Sequence, residues 1–190
     1  MTFAIVLAAG ASSRMGRPKA LLSIGGRPAI EVVCATLREG GAGDVIVVVG
    51  RHAAEIRAGA DLHGVRIVDN PKWASGRTSS IQAGLAALPP TADATLLALV
   101  DMPLVRADTV RTILAAPRAT KRKPGVVVPV HGGRRGHPIL LFRDLFPRIA
   151  ALGPDESLRE VVRAAQRLEV RVDDPGVLFD LDTPEDLRRL

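Results

Sequence analysis

The chain has 190 residues, 47% of them hydrophobic, a single cysteine and a formal net charge of +6. That length and apolar content suit one domain with a full core over residues 1–190, and a lone thiol excludes an internal disulfide framework and any CxxC metal or redox pair. The basic excess does not indicate nucleic acid, because aromatic residues make up only 3% of the chain and no base-stacking signature interleaves the arginines.

Phe3 to Ala8 is an apolar run with the character of a buried strand. It opens into Leu7-Ala8-Ala9-Gly10-Ala11-Ser12-Ser13-Arg14-Met15-Gly16-Arg17-Pro18-Lys19, a loop of small residues whose backbone N–H groups can approach an anion closely. Arg14 and Lys19 add fixed positive charge beyond them. The pattern reads as a phosphate cradle for a nucleoside triphosphate. Neither GxGxxG nor GxxxxGK[ST] occurs, since the glycine spacing those geometries need is missing. A glycine-bearing loop alone is equally an ordinary strand-to-helix turn, and the charges and length of the motif favour the cradle.

Ala29 to Arg38 has helical spacing and carries Cys34 as a packed core residue. Strand-like runs follow at Val45 to Val49 and Val65 to Val68. A Pro-, Gly- and Ser-rich loop then holds Trp73, which suits stacking on a flat heterocycle or packing of a lid equally well. Arg77-Thr78-Ser79-Ser80 precedes a helix predicted over Ser79 to Leu88 and offers hydroxyls and N–H groups at a positive helix end, for a ligand or for simple capping.

The strand Thr95 to Val100 ends at Asp101, and Pro103 turns the chain so that this carboxylate sits at the sheet's carboxyl edge. Magnesium needs only one or two protein carboxylates and takes its other ligands from phosphate and water, so Asp101 beside a phosphate loop is a metal position, with a turn or helix cap as the plainer reading. A helix over Thr109 to Ala116 leads to the basic cluster Arg118 to Lys123, read as a solvated surface loop. Val126 to Val130 is the last regular strand.

After about Arg134 the alternation lapses, and a strand or two and short helices are expected over the sheet's open end, shaping an acceptor pocket. Gly136-His137-Pro138 is a tightly turned basic segment there; His137 either donates to an acceptor phosphate or is a satisfied structural histidine. His52, His63 and His131 lack ligand-like spacing, which argues against zinc, and read as surface or turn residues. Thr183-Pro184-Glu185-Asp186 starts a terminal helix with its acids in the first turn, leaving Asp180 and Asp182 as candidates for the second metal carboxylate. In an extended stretch both face the same way; Asp182 is slightly favoured and both are retained.

Continuous Val, Ile and Leu strands alternating with helices predict a three-layer α/β fold with a mostly parallel, Rossmann-like sheet. Ligands bind beyond the carboxyl ends of such strands, where these motifs converge. No run approaches the ~18 apolar residues of a membrane span, and no basic region precedes the first apolar run, so a soluble cytoplasmic protein is expected.

LAAGxSxRMGxPK, together with NPKWASGRTSSIQAGL at 70–85, LVDMPLV at 99–105, RRGHPILL at 134–141 and FDLDTPEDL at 179–187, resembles the MobA-like nucleotidyltransferases nearly end to end. It is most similar to their molybdenum cofactor cytidylyltransferase branch. The resemblance implies the nucleotide-diphospho-sugar transferase type of fold and a nucleotide site at Leu7, Ala8, Ala9, Gly10, Arg77 and Ser80. It favours metal at Asp101 and places Gly136, His137 and Pro138 on the pterin side. It further implies CTP as donor, Mg2+ as cofactor, molybdopterin carrying molybdenum as acceptor, and delivery of the dinucleotide cofactor to a molybdenum hydroxylase apoenzyme. The guanylyl branch shows LAGG where this chain has Leu7-Ala8-Ala9-Gly10, so Ala9 argues for CTP over GTP.

An acceptor phosphate monoester is already ionised and needs no strong base. The expected catalysis is therefore in-line positioning against the α-phosphorus plus charge neutralisation by Arg14, Lys19 and a metal on Asp101 with Asp182 or Asp180. Another phosphorylated acceptor, GTP in place of CTP, or a non-catalytic cofactor-binding maturation partner are the competing readings.

Overall fold

The computed structural model describes residues 2–12, 15–120 and 123–188. In chain order the elements are β1 (Thr2–Ala8), β2 (Ser23–Ile24), β3 (Arg27–Pro28), α1 (Ala29–Glu39), β4 (Val45–Val49), α2 (Ala53–Gly59), β5 (Arg66–Asp69), α3 (Arg77–Ala86) and β6 (Ala94–Leu99). They continue with α4 (Ala107–Ala115), β7 (Val126–His131), β8 (Arg134–Arg135), β9 (Ile139–Phe142), α5 (Phe146–Ala150), α6 (Leu158–Ala164), β10 (Arg167–Arg171) and α7 (Pro184–Arg188).

The main sheet runs β10-β7-β9-β6-β1-β4-β5, with β8 paired to β7 and β2-β3 forming a separate hairpin. β1 lies parallel to both β4 and β6, β4 to β5, and β7 to β10. β9 is antiparallel to both β6 and β7. The expected mostly parallel sheet is thus present, with one reversed strand inserted between two parallel ones. The chain builds outward from β1 through β4 to β5, then returns to β6 on the other side of β1. That reversal opens a crevice beyond the carboxyl ends of β1 and β6.

Both faces of the sheet are covered. Ala4, Val6 and Ala8 of β1 pack on one side with Ile30 and Cys34 of α1 and Val110 and Ile113 of α4. Ile5 and Leu7 face the other side, against Ile81 and Leu85 of α3, Ile149 of α5 and Val161 of α6. A strand apolar on both faces is what a doubly covered sheet demands, which is why these runs lack polar alternation. Cys34 is buried, and the thiol's pKa is pushed up to about 12, chiefly by that burial. Among the described residues no helix is long and apolar enough to cross a membrane.

The observed elements depart from expectation at several places. α3 begins at Arg77, two residues ahead of the expected start, because Gly76 at φ 107° supplies the sharp entry a side-chain cap would otherwise provide. α2 was not expected; its seven residues bury only Ile56, too little for a period to register. Past Arg134 the added strands extend the sheet itself: β9 enters its interior and β10 joins its edge. The chain after β10 is then pinned across the carboxyl edge by the buried Asp174, which accepts from Arg106 N–H at 2.8 Å, Thr109 Oγ1 at 2.6 Å and Gly176 N–H at 3.0 Å.

Candidate functional site

β1 ends at Ala8, and the chain from Ala9 to Ser12 borders a cavity of about 580 Å³. Ser12 adopts φ 50°, an uncommon conformation for a residue with a side chain, and its Oγ accepts from the Lys19 N–H at 3.1 Å. The loop is thereby closed on itself, and Lys19 follows Pro18 into a short 3-10 turn. From there its ammonium crosses the crevice. Nζ lies 3.1 Å from Asp101 Oδ2, just past β6, and 2.5 Å from Asp182 Oδ1, ahead of α7.

Leu181 explains how the last segment reaches this point. Its side chain is fully buried and its N–H donates to the Asp101 carbonyl at 2.7 Å. The residues on either side, Asp180 and Asp182, both face a second cavity of about 230 Å³. Asp186 is structural: its Oδ2 accepts from Thr183 N–H and Oγ1, both at 2.8 Å, the reciprocal cap expected at a helix start.

The charges respond to one another. Partial burial alone would lower the Lys19 pKa, but Asp182 and Asp101 outweigh it and hold the ammonium above its ordinary value. Asp180 is pushed above the usual carboxylate range by desolvation, reinforced by Asp101 and Asp182. His137 is pushed down to about 4 by burial, with Arg77 adding to the effect and Asp101 opposing it.

The first cavity is bordered by Leu7, Ala8, Ala9, Gly10, Arg77 and Ser80, and also by Lys19, Asp101 and Asp182. Ser80 is buried, and its hydroxyl accepts from Asn70 Nδ2 at 2.9 Å. Arg77, Asp101 and Asp182 also border the second cavity, with Gly136 and His137 beyond them. A third space of about 650 Å³ continues past Arg77, Arg135 and His137 along the apolar side chains of Ile81, Leu158 and Val162. Pro138 is not brought to this groove; it is buried beside a small gap between α1 and α4. Arg14 lies outside the described residues.

Two further residues border the first cavity: His52, read from the sequence as a surface or turn residue, and Trp73, for which the sequence leaves both readings open. His52 is no isolated surface residue: it borders the first cavity and its ring touches the Ala9–Ser12 loop, with Nε2 3.0 Å from the Ala11 carbonyl. Trp73 borders the same cavity, and the Arg51 guanidinium lies 5.8 Å from its ring centroid. A histidine without a partner at ligand spacing carries no signal of such a loop contact.

No group of three or more His, Cys, Asp or Glu side chains converges as a metal cage among the described residues. The two carboxylates that share the Lys19 ammonium nevertheless fit a hard divalent cation, which draws its remaining ligands from phosphate and water.

The comparisons with known proteins agree with this geometry. The family model for the MobA-like NTP transferase domain matches residues 4–170. Nicotine blue oxidoreductase of Paenarthrobacter nicotinovorans is 36% identical over 98% of this chain and 94% of its own length. Molybdenum cofactor cytidylyltransferase of Escherichia coli is 26% identical over 96% of this chain and 91% of its own. The crystal structure of Rv0371c from Mycobacterium tuberculosis in complex with manganese superposes with a TM-score of 0.80 at 27% identity, covering 100% of this chain and 97% of that one. The sheet topology is of the nucleotide-diphospho-sugar transferase type. The chain therefore belongs to the MobA-like NTP transferase domain family and is a nucleotidyltransferase.

Proposed function

We propose that this protein acts in the cytoplasm, as a single domain over residues 1–190, to transfer CMP from CTP to the phosphate of molybdenum-bearing molybdopterin, releasing pyrophosphate. The product would serve a molybdenum hydroxylase apoenzyme. The observation that carries the reading is the Lys19 ammonium bridging Asp101 and Asp182 at the mouth of the cavity bounded by the small-residue loop.

In this reading an acceptor phosphate oxygen forms the new bond to the α-phosphorus of CTP, and the bond to the pyrophosphate leaving group breaks in line. The acceptor is already an anion, so no side chain has to remove a proton. Lys19 and Arg14 neutralise charge on the phosphates, while the loop amides, Arg77 and Ser80 orient the nucleotide. Asp101 and Asp182 would hold Mg2+, which supplies further neutralisation of phosphate charge, and Asp180, held above the usual carboxylate range chiefly by desolvation, is the weaker ligand. Gly136 and His137, with the apolar space past Arg135, suit a bulky acceptor that carries a phosphate on a flat ring system.

The decisive experiment incubates the purified protein with Mg2+, molybdenum-loaded molybdopterin and each of CTP, GTP and ATP, and reads products by mass and pyrophosphate release. A product equal to CTP plus acceptor minus pyrophosphate is expected. Product only with GTP would overturn the nucleotide assignment. CMP transfer to other phosphate monoesters but not to molybdopterin would overturn the acceptor. The identity to nicotine blue oxidoreductase makes this acceptor test necessary, since kinship alone does not fix what occupies the far end of the groove.

A further inference from the structure

The Ala9–Ser12 loop can present N–H groups to an anion only if its carbonyls are turned elsewhere. One of them has a dedicated partner. His52 Nε2 lies 3.0 Å from the Ala11 carbonyl, and because a carbonyl only accepts, Nε2–H is the donor. The other ring nitrogen, Nδ1, lies 2.7 Å from Glu55 Oε1, one turn along α2; a carboxylate also only accepts, so the two contacts together orient the ring as a double donor, with a proton on each nitrogen. The His52 side chain is 17% exposed and that of Glu55 58% exposed, so the pair sits at the rim of the cavity.

Two independent features show that this contact is built into the fold. Gly50 lets the β4–α2 connection pass against the loop: a Cβ there would collide with the Ala9 carbonyl and with Trp73. Ser12, the residue after the held carbonyl, sits at φ 50°, a conformation that costs about 1 kcal/mol or more and persists only where the surroundings enforce it. In a trans peptide the N–H is antiparallel to the C=O, so turning the Ala11 carbonyl toward α2 turns the Ser12 N–H away from it.

We propose that His52, oriented by Glu55, is a positioning residue for the phosphate loop, holding the Ala11–Ser12 peptide so that the Ser12 N–H faces the nucleotide phosphates. Without it the peptide relaxes by flipping, and a carbonyl oxygen replaces an N–H opposite the anion. The inference rests on the reading of this loop as the nucleotide site.

Calorimetric titration of Mg–CTP into wild type, H52L, H52Q, E55A and the H52L/E55A double variant tests it, with Tm recorded for each and KM and kcat measured alongside. H52L should bind about 10-fold more weakly, with kcat changed less than about 3-fold, the scale of one hydrogen bond. H52Q keeps an N–H donor and should recover most of the affinity. E55A should cost about 2–3-fold alone and nothing further in the H52L background. H52L binding as tightly as wild type, H52Q no tighter than H52L, or an E55A effect that survives the loss of His52 would overturn the proposal. If H52L fails to fold, the exposed Glu55 decides it: E55A with an unaltered KM for CTP sinks the idea. Wild type that binds no nucleoside triphosphate would instead overturn the nucleotide reading beneath it.

Discussion

The two sides of the groove are built differently. On the side proposed for the nucleotide, β1, β4 and β6 are almost wholly buried, and the loops that carry Lys19 and Asp101 leave strands clamped from both faces. On the side proposed for the acceptor, the exposed β8 pair Arg134 and Arg135 leads into the buried Gly136 turn, and the Asp180–Asp182 stretch is anchored through Leu181 rather than by a strand of the sheet. In the proposed reading the phosphates are met by loops leaving buried strands, whereas the far end of the groove is bordered by a short strand and loops whose exposed side chains can change with less cost to the core. Relatives named as an oxidoreductase and as a cytidylyltransferase, both aligned with nearly the whole chain, fit that division.

The contrast can be broken most directly at Lys19. Lys19→Ala should lower pyrophosphate release about 10²–10³-fold with an unchanged circular dichroism spectrum, the scale of removing one fixed charge donor from a preorganised site. Near-normal release would take the nucleotide side out of the chemistry. The carboxylates sharpen it next: Asp101→Asn and Asp182→Asn should each cost about 100-fold and raise the metal concentration needed for half-maximal rate, while Asp180→Asn should cost less than about 10-fold. Equal losses at Asp180 and Asp182 would show that the whole terminal stretch, not one ligand, faces the ion.

Glycines separate the two sides by stability rather than rate. A Cβ on Gly136 would overlap the Val177 backbone, whereas one on Gly10 meets nothing within 4 Å. Gly136→Ala should therefore lose about 2–3 kcal/mol in denaturant melts, and Gly10→Ala should melt like wild type yet bind Mg–CTP more weakly. Two equal melting curves would contradict the close packing at the acceptor turn.

Acid offers a gentler probe of the same turn. His137 titrates near 4 when folded against an ordinary value of 6.5, so between those limits the unfolded chain binds more protons than the folded one. Its contribution is intact above the ordinary value and is lost as the pH falls toward 4, with a slope of at most about 1.4 kcal/mol per pH unit. His137→Asn should flatten that part of the stability profile; an unchanged profile would place the ring in water. The smallest effect is expected at Ala9, which is 4% exposed on the cavity wall. Ala9→Gly should raise GTP use relative to CTP several-fold in competition assays, and an unaltered ratio would remove it from base selection.

What the residues made legible, and what they hid, follows the same line. β4 could be bounded to the residue because Val45–Val49 is continuous between Asp44 and Gly50, and Lys19 and Asp101 both follow buried strands whose direction the parallel pattern sets. The reversal of β9 was hidden, since Ile139–Phe142 is apolar on both faces and its direction depends on pairing with β6 and β7. α2 was too short to show a period, and with it went His52, whose partner is a backbone carbonyl 41 residues away that no side-chain pattern encodes. Resemblance assigns Pro138 to the acceptor turn with Gly136 and His137; in the structure it borders the small gap between α1 and α4 instead.

Arg77 borders all three spaces of the groove. In the proposed reading one side chain would serve donor and acceptor alike, so either partner that drew it to its own side would change what the other meets. If both bind there as proposed, their affinities are interdependent by an equal factor in each direction, and replacing that one side chain would uncouple them.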